Sequence, residues 1–93
     1  MEKIMTIMKV LPVSERQYKD LNGIPRTFVS RGLLLSDGND KIYAEITGET
    51  ARRNDLEEGI SCSVIMTCNA RQYEDKNHDI RYSNEVVILR LGL

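Results

Sequence analysis

Two short clusters near the C-terminal end each combine a cation with a flat ring: Arg71 with Tyr73, and Arg81 with Tyr82. A guanidinium can neutralise a phosphate and a phenol ring can carry an unstacked base, so the pairing suits a single nucleic-acid strand. Between the clusters runs the polar stretch Glu74 to Asp79, where Lys76 adds another cation. The segments on either side, Gly59 to Tyr73 and Arg81 to Leu89, are rich in strand-forming residues and predict a long antiparallel hairpin with the clusters flanking its tip. Catalysis finds little footing by comparison. No glycine loop of the phosphate-cradling kind is present, no metal-ligand spacing, and no triad partner for the lone His78. Surrounded by Asp75, Lys76, Asn77 and Asp79, that histidine reads as an exposed tip residue. No enzyme activity, cofactor or metal is expected.

The elements that must position these groups are short and β-forming. Lys3 to Val13 is a first strand in which both parities are mostly apolar, so both of its faces call for cover. One face can meet a core, and the other is an exposed patch unless a second copy lies against it. A homodimer or homotetramer through the first strand is the resulting expectation. Ser14 to Pro25, ending in Asn22-Gly23-Ile24-Pro25, reads as a flexible loop carrying Arg16, Tyr18 and Lys19.

Arg26 to Ser36 is the second strand, with Val29, Leu33 and Leu35 inward and Arg26, Phe28 and Ser30 outward. Arg31 interrupts the inward set just before Gly32, which predicts a bulge there. Asp37-Gly38-Asn39-Asp40 is a tight hairpin turn. The third strand, Lys41 to Thr47, alternates Ile42, Ala44 and Ile46 inward with Lys41, Tyr43, Glu45 and Thr47 outward. Gly48 to Glu58 is the helical candidate, stopped by Gly59. The fourth strand then places Ile60, Cys62, Val64, Met66 and Cys68 inward. Its two cysteines lie about 20 Å apart at ~3.3 Å per residue, too far to bridge, and are expected to be reduced and buried. No repeat, low-complexity tract or linker is apparent.

With 93 residues the chain makes one small domain, residues 1–93. Its formal net charge of −1 supplies no global basic field, so any nucleic-acid site must be a local patch. An acid at position 2 and the lack of a long apolar run argue against a leader or a membrane span, and a cytoplasmic location is expected. Three strands, a short helix and two more strands follow the order of the all-β, five-stranded Greek-key barrel called the OB-fold. In that architecture ligands lie across the second and third strands, between the first-to-second and fourth-to-fifth connections. Tyr18, Phe28, Tyr43, Tyr73 and Tyr82 all fall on or beside that surface, with Arg26 and Lys41 on the same outward parity.

The stretch Gly59 to Ile88 resembles the bacterial single-stranded-DNA-binding proteins. Gly59, Arg71, Tyr73, Asp75, Arg81-Tyr82, Ser83-Asn84 and Glu85-Val86-Val87 match that family's pattern, and Asn22-Gly23 resembles its turn before the second strand. The resemblance implies an OB-fold and sequence-tolerant binding of single-stranded DNA, with RNA not excluded. It puts Tyr73 in the place of a stacking tryptophan, with Arg71 and Arg81 as phosphate partners. Tyr82 and Glu85 would be structural, Glu85 holding a polar partner near the hairpin base. Lys41 stands near a second family tryptophan, with Tyr43 two residues on, and this chain contains no tryptophan at all. Primosomal replication protein N is also similar in size and in its Gly-Ile-Pro turn. The competing reading is an OB-fold interaction module of primosome-accessory type with weak or no nucleic-acid binding.

Overall fold

The computed structural model describes residues 2–93. Six strands form one sheet: β1 (Glu2–Val10), β2 (Ser14–Lys19), β3 (Pro25–Ser36), β4 (Lys41–Thr47), β5 (Ser61–Glu74) and β6 (Ile80–Gly92). Their order is β1-β5-β6-β4-β3-β2, and a further pairing of β1 with β3 closes five of them into a barrel. This is the expected Greek-key OB-fold. Its one parallel contact, β4 on β6, joins the two halves through Glu45 with Val87 and Ile46 with Ile88.

The alternation read from the sequence places the core correctly along most of its length. Leu33, Leu35, Ala44, Val64 and Met66 are almost completely buried, each from the inward parity of its strand, and in β1, where both parities are apolar, Met5 and Ile7 take the core side. Burying six large side chains of this kind supplies most of the stabilisation of so small a barrel, at ~1.5–3 kcal/mol each. Beyond Thr67 the β5–β6 hairpin leaves the barrel as a free arm, so its inner face meets solvent. Cys68, expected in the core, is for this reason exposed, while Cys62 is buried and both are free thiols.

Three local expectations need correcting. The segment Ser14 to Pro25 is not a flexible loop. Ser14–Lys19 pairs residue for residue with Pro25 to Ser30, making a second arm. The helical candidate shrinks to a 3-10 turn over Gly48–Arg52, since only Ala51 and Leu56 are apolar and a longer helix would have no face to bury. Nor does β3 bulge at Gly32: its register with β4 is unbroken from Ser30 to Ser36. Register shifts lie instead in β1, between Ile7 and Lys9 where it pairs with β3, and in the β5–β6 ladder, between Ile65 and Met66.

Arg31 nevertheless has a defined task. Its Nε donates to the Leu11 carbonyl at 2.8 Å and its Nη1 to the Arg53 carbonyl at 2.9 Å. Arg53 in turn donates to the Leu91 carbonyl at 2.7 Å while its other guanidinium edge holds Asp55. Two arginines thus tie the segment just after β1 and the end of β6 to the connection that follows the 3-10 turn. Among the described residues, no helix is long and apolar enough to cross a membrane.

Candidate nucleic-acid interface

Directly opposed residues of an antiparallel pair point to the same face, so the ladders show which side chains share a surface. On the β2–β3 arm, Arg16 opposes Phe28 and Tyr18 opposes Arg26. On the β5–β6 arm, Asn69 opposes Glu85, Arg71 opposes Ser83 and Tyr73 opposes Arg81. Both sets continue the outward faces of the barrel strands. Between the arms runs β4, with Tyr43, Glu45 and Thr47 outward.

These faces enclose an open groove of about 430 Å³. Arg16 and Phe28 form one wall, Tyr43 and Glu45 line the floor, and Arg71 and Glu85 form the other wall. The Arg16 guanidinium lies 5.3 Å from the centre of the Phe28 ring, a cation–π arrangement in the groove wall. Tyr43 is about half exposed, and so is Tyr73 on the arm above Arg71. Of the residues singled out from the sequence, the structure brings Phe28, Tyr43 and Arg71 into this groove. Tyr18, Arg26, Tyr73 and Arg81 stand on the same arm faces, farther toward the tips. Lys41 and Lys76 are exposed and do not line the groove. Tyr82 opposes Gln72 and so projects from the reverse face of its arm, away from Tyr73.

Electrostatically the groove is balanced. Two arginines, Arg16 and Arg71, meet two glutamates, Glu45 and Glu85. Arg71 Nη1 donates to Glu85 Oε1 at 3.0 Å, which is the polar partner expected of Glu85 at the hairpin base. Both groups are more than half exposed, so the pair is exchangeable and contributes little to stability. At the tips, Arg26 Nε donates to Asp20 Oδ2 at 3.0 Å, and Arg81 Nε to Asp75 Oδ2 at 2.9 Å. Those carboxyls are held below the ordinary carboxylate range. For Asp20 the main cause is the Ile24 amide, followed by Arg26; for Asp75 it is Arg81, followed by the Asp79 amide.

Arg16 is the groove residue that sequence reasoning missed as a site. It lay in a segment read as loop, and the signal that could have found it is the Asn22-Gly23 turn ahead of β3 rather than any alternation in the segment itself. No protein-family model matches this sequence, and a search of curated proteins finds no significant relative.

Proposed function

We propose that this protein binds single-stranded DNA without sequence preference, stacking bases on exposed rings and pairing phosphates with the arginines beside them. The observation that carries the reading is the groove itself: Phe28 under Arg16, Tyr43 on the floor and Arg71 on the facing wall, all open to solvent within one concave surface. Bases have a π-face whatever their identity, so a row of rings and guanidinium planes is sequence-tolerant. The near-zero net charge of the groove lowers the electrostatic share of affinity and raises the share carried by stacking. A role in replication, recombination or repair, where single strands are exposed, follows from that chemistry.

Self-association through the first strand belongs to the same proposal. Ile4 is 70% exposed and Met8 43% exposed on the outer side of β1, and a second copy covering them would present two grooves to one strand. The alternative, an OB-fold module that binds protein, draws support from the balanced groove charge and from the fully exposed Leu21 at an arm tip.

Titration of a fluorescent oligothymidylate at low salt separates the two. The nucleic-acid reading expects binding that Tyr43→Ala weakens by ~1–3 kcal/mol, the loss of one stacked base. Absence of binding by the wild type at low salt would remove it in favour of the interaction module.

A further inference from the structure

The two arms are built from one pattern. Tyr18-Lys19-Asp20-Leu21-Asn22-Gly23-Ile24-Pro25-Arg26 and Tyr73-Glu74-Asp75-Lys76-Asn77-His78-Asp79-Ile80-Arg81 share tyrosine, aspartate, asparagine and arginine at the same four positions. The hydrogen bonds coincide as well. Asp20 Oδ1 accepts from the amides of Asn22 at 2.9 Å and Ile24 at 3.0 Å, and Asp75 Oδ1 from those of Asn77 at 2.9 Å and Asp79 at 3.0 Å. Gly23 and His78 both adopt left-handed backbone, with φ of 74° and 63°. Each aspartate then fixes the following arginine through its Nε.

This correspondence of two turns, four residues in nine, acts as an internal control on what the turn requires. Aspartate and arginine are explained by the bonds they make. Leu21 against Lys76, which make no such bond, and Ile24 against Asp79, which contribute only backbone amides, have diverged, while Asn22 and Asn77 are the same residue although they too contribute only their amides. Tyrosine makes no bond to either turn, yet it stands opposite the fixed arginine in both arms, as Tyr18 with Arg26 and Tyr73 with Arg81. Holding a guanidinium by Nε directs its remaining N–H groups outward, a geometry suited to a phosphate. What the two arms share beyond the turn is therefore a ring beside an oriented cation.

The arms also stand at opposite ends of the sheet. β3 runs antiparallel to β4 and β4 parallel to β6, so the turns that precede β3 and β6 lie on opposite sides of the groove. We propose, resting on the single-strand reading above, that the two arms are matched anchors for one strand: Tyr18 with Arg26 holds a base and a phosphate at one end, Tyr73 with Arg81 holds the same units at the other, and the strand crosses the groove diagonally between them. The longest principal axis of the molecule, 38 Å, sets the scale of the span. At a stacked spacing of ~3.4 Å per nucleotide, about 11 nucleotides cover that length.

Anisotropy titrations with labelled oligothymidylates of increasing length, from about 4 to about 16 nucleotides, test this. The wild type should show a step in affinity at a length of about 11 nucleotides, where the second anchor is reached and its contact becomes intramolecular. Tyr18→Ser and Tyr73→Ser should each abolish that step, lowering long-oligonucleotide affinity about tenfold or more while changing short-oligonucleotide affinity little. Tyr18→Phe should restore it. Arg26→Gln, which leaves the ring in place, should lose the step as well and covers the case in which Tyr18→Ser fails to fold. A step that survives Tyr18→Ser or Arg26→Gln in folded protein overturns the matched-anchor proposal and leaves the groove reading intact. Absence of binding at every length overturns both.

Discussion

The ring of Tyr43 lies across the backbone of Gly32 on the neighbouring strand, so closely that a β-carbon at position 32 would stand 2.7 Å from Tyr43 Cζ and 2.8 Å from Cε2. Tyr43 is paired with Leu34, two residues along, and leans diagonally over the glycine, as aromatic residues do over bare strand glycines. The glycine is there for space and sets the angle at which the ring meets the groove. Gly32→Ala should therefore push the ring off its seat and weaken oligothymidylate binding about as much as Tyr43→Ala. Because the displaced atoms are the end of a partly exposed side chain, stability should change by less than ~1 kcal/mol. A double-mutant cycle checks the mechanism: in a Tyr43→Ala background, Gly32→Ala should have no further effect on binding.

Glu85 competes with phosphate for Arg71. Glu85→Gln removes a negative charge from the groove wall and releases the guanidinium, so binding at low salt should tighten severalfold. Since the ion pair is exposed, the thermal midpoint should hardly move. Weaker binding by this variant would mean that Glu85 positions Arg71 for the ligand.

The Arg31 guanidinium is the tie with the largest expected effect on stability. Arg31→Met keeps most of the side-chain volume and removes two charged hydrogen bonds to carbonyls of separate segments. Urea denaturation should show a loss of ~2–3 kcal/mol, with oligonucleotide affinity of the folded protein unchanged.

Acid should weaken the fold through its turn aspartates. Asp37 accepts from the amides of Asp40 at 2.8 Å and Asn39 at 2.9 Å and from Lys3 Nζ at 3.2 Å, which lower its pKa to about 2. A carboxyl depressed in the folded state stabilises it fully above its unfolded pKa of ~3.9, and that contribution is lost as the pH falls toward the folded value. Melting temperature should therefore decline between about pH 4 and pH 2. Asp37→Asn should melt lower than wild type at neutral pH and show a shallower decline over that interval. An identical acid profile in the variant would assign the decline to the other depressed carboxyls, Asp20, Asp55 and Asp75.

Much of the barrel was legible in the residues. Parity along Arg26 to Ser36 and Lys41 to Thr47 assigned Leu33, Leu35, Ala44 and Ile46 to the core and Phe28 and Tyr43 to the outer face, because a strand's side chains alternate regardless of what lies beside it. The turns at Asp37 and around Asp75 were equally local, written in Asp, Asn and Gly. Ser14 to Lys19 was harder: all six residues are exposed, and without an apolar parity a strand leaves no periodic signal.

What the chain alone determined is thus the five barrel strands, the inward faces of those that alternate and the chemistry available on their outward ones, all of which depend on neighbours within a few residues. Tertiary structure decided the rest. Where β5 and β6 part from the barrel exposed Cys68 and turned Tyr82 away from Tyr73. The register of β4 on β3 seated Tyr43 over Gly32, and pairing of a polar segment with β3 brought Arg16 onto Phe28. Each of these depends on contacts between residues distant in sequence, and alternation within one strand does not encode which strand lies beside it or how far that partner extends.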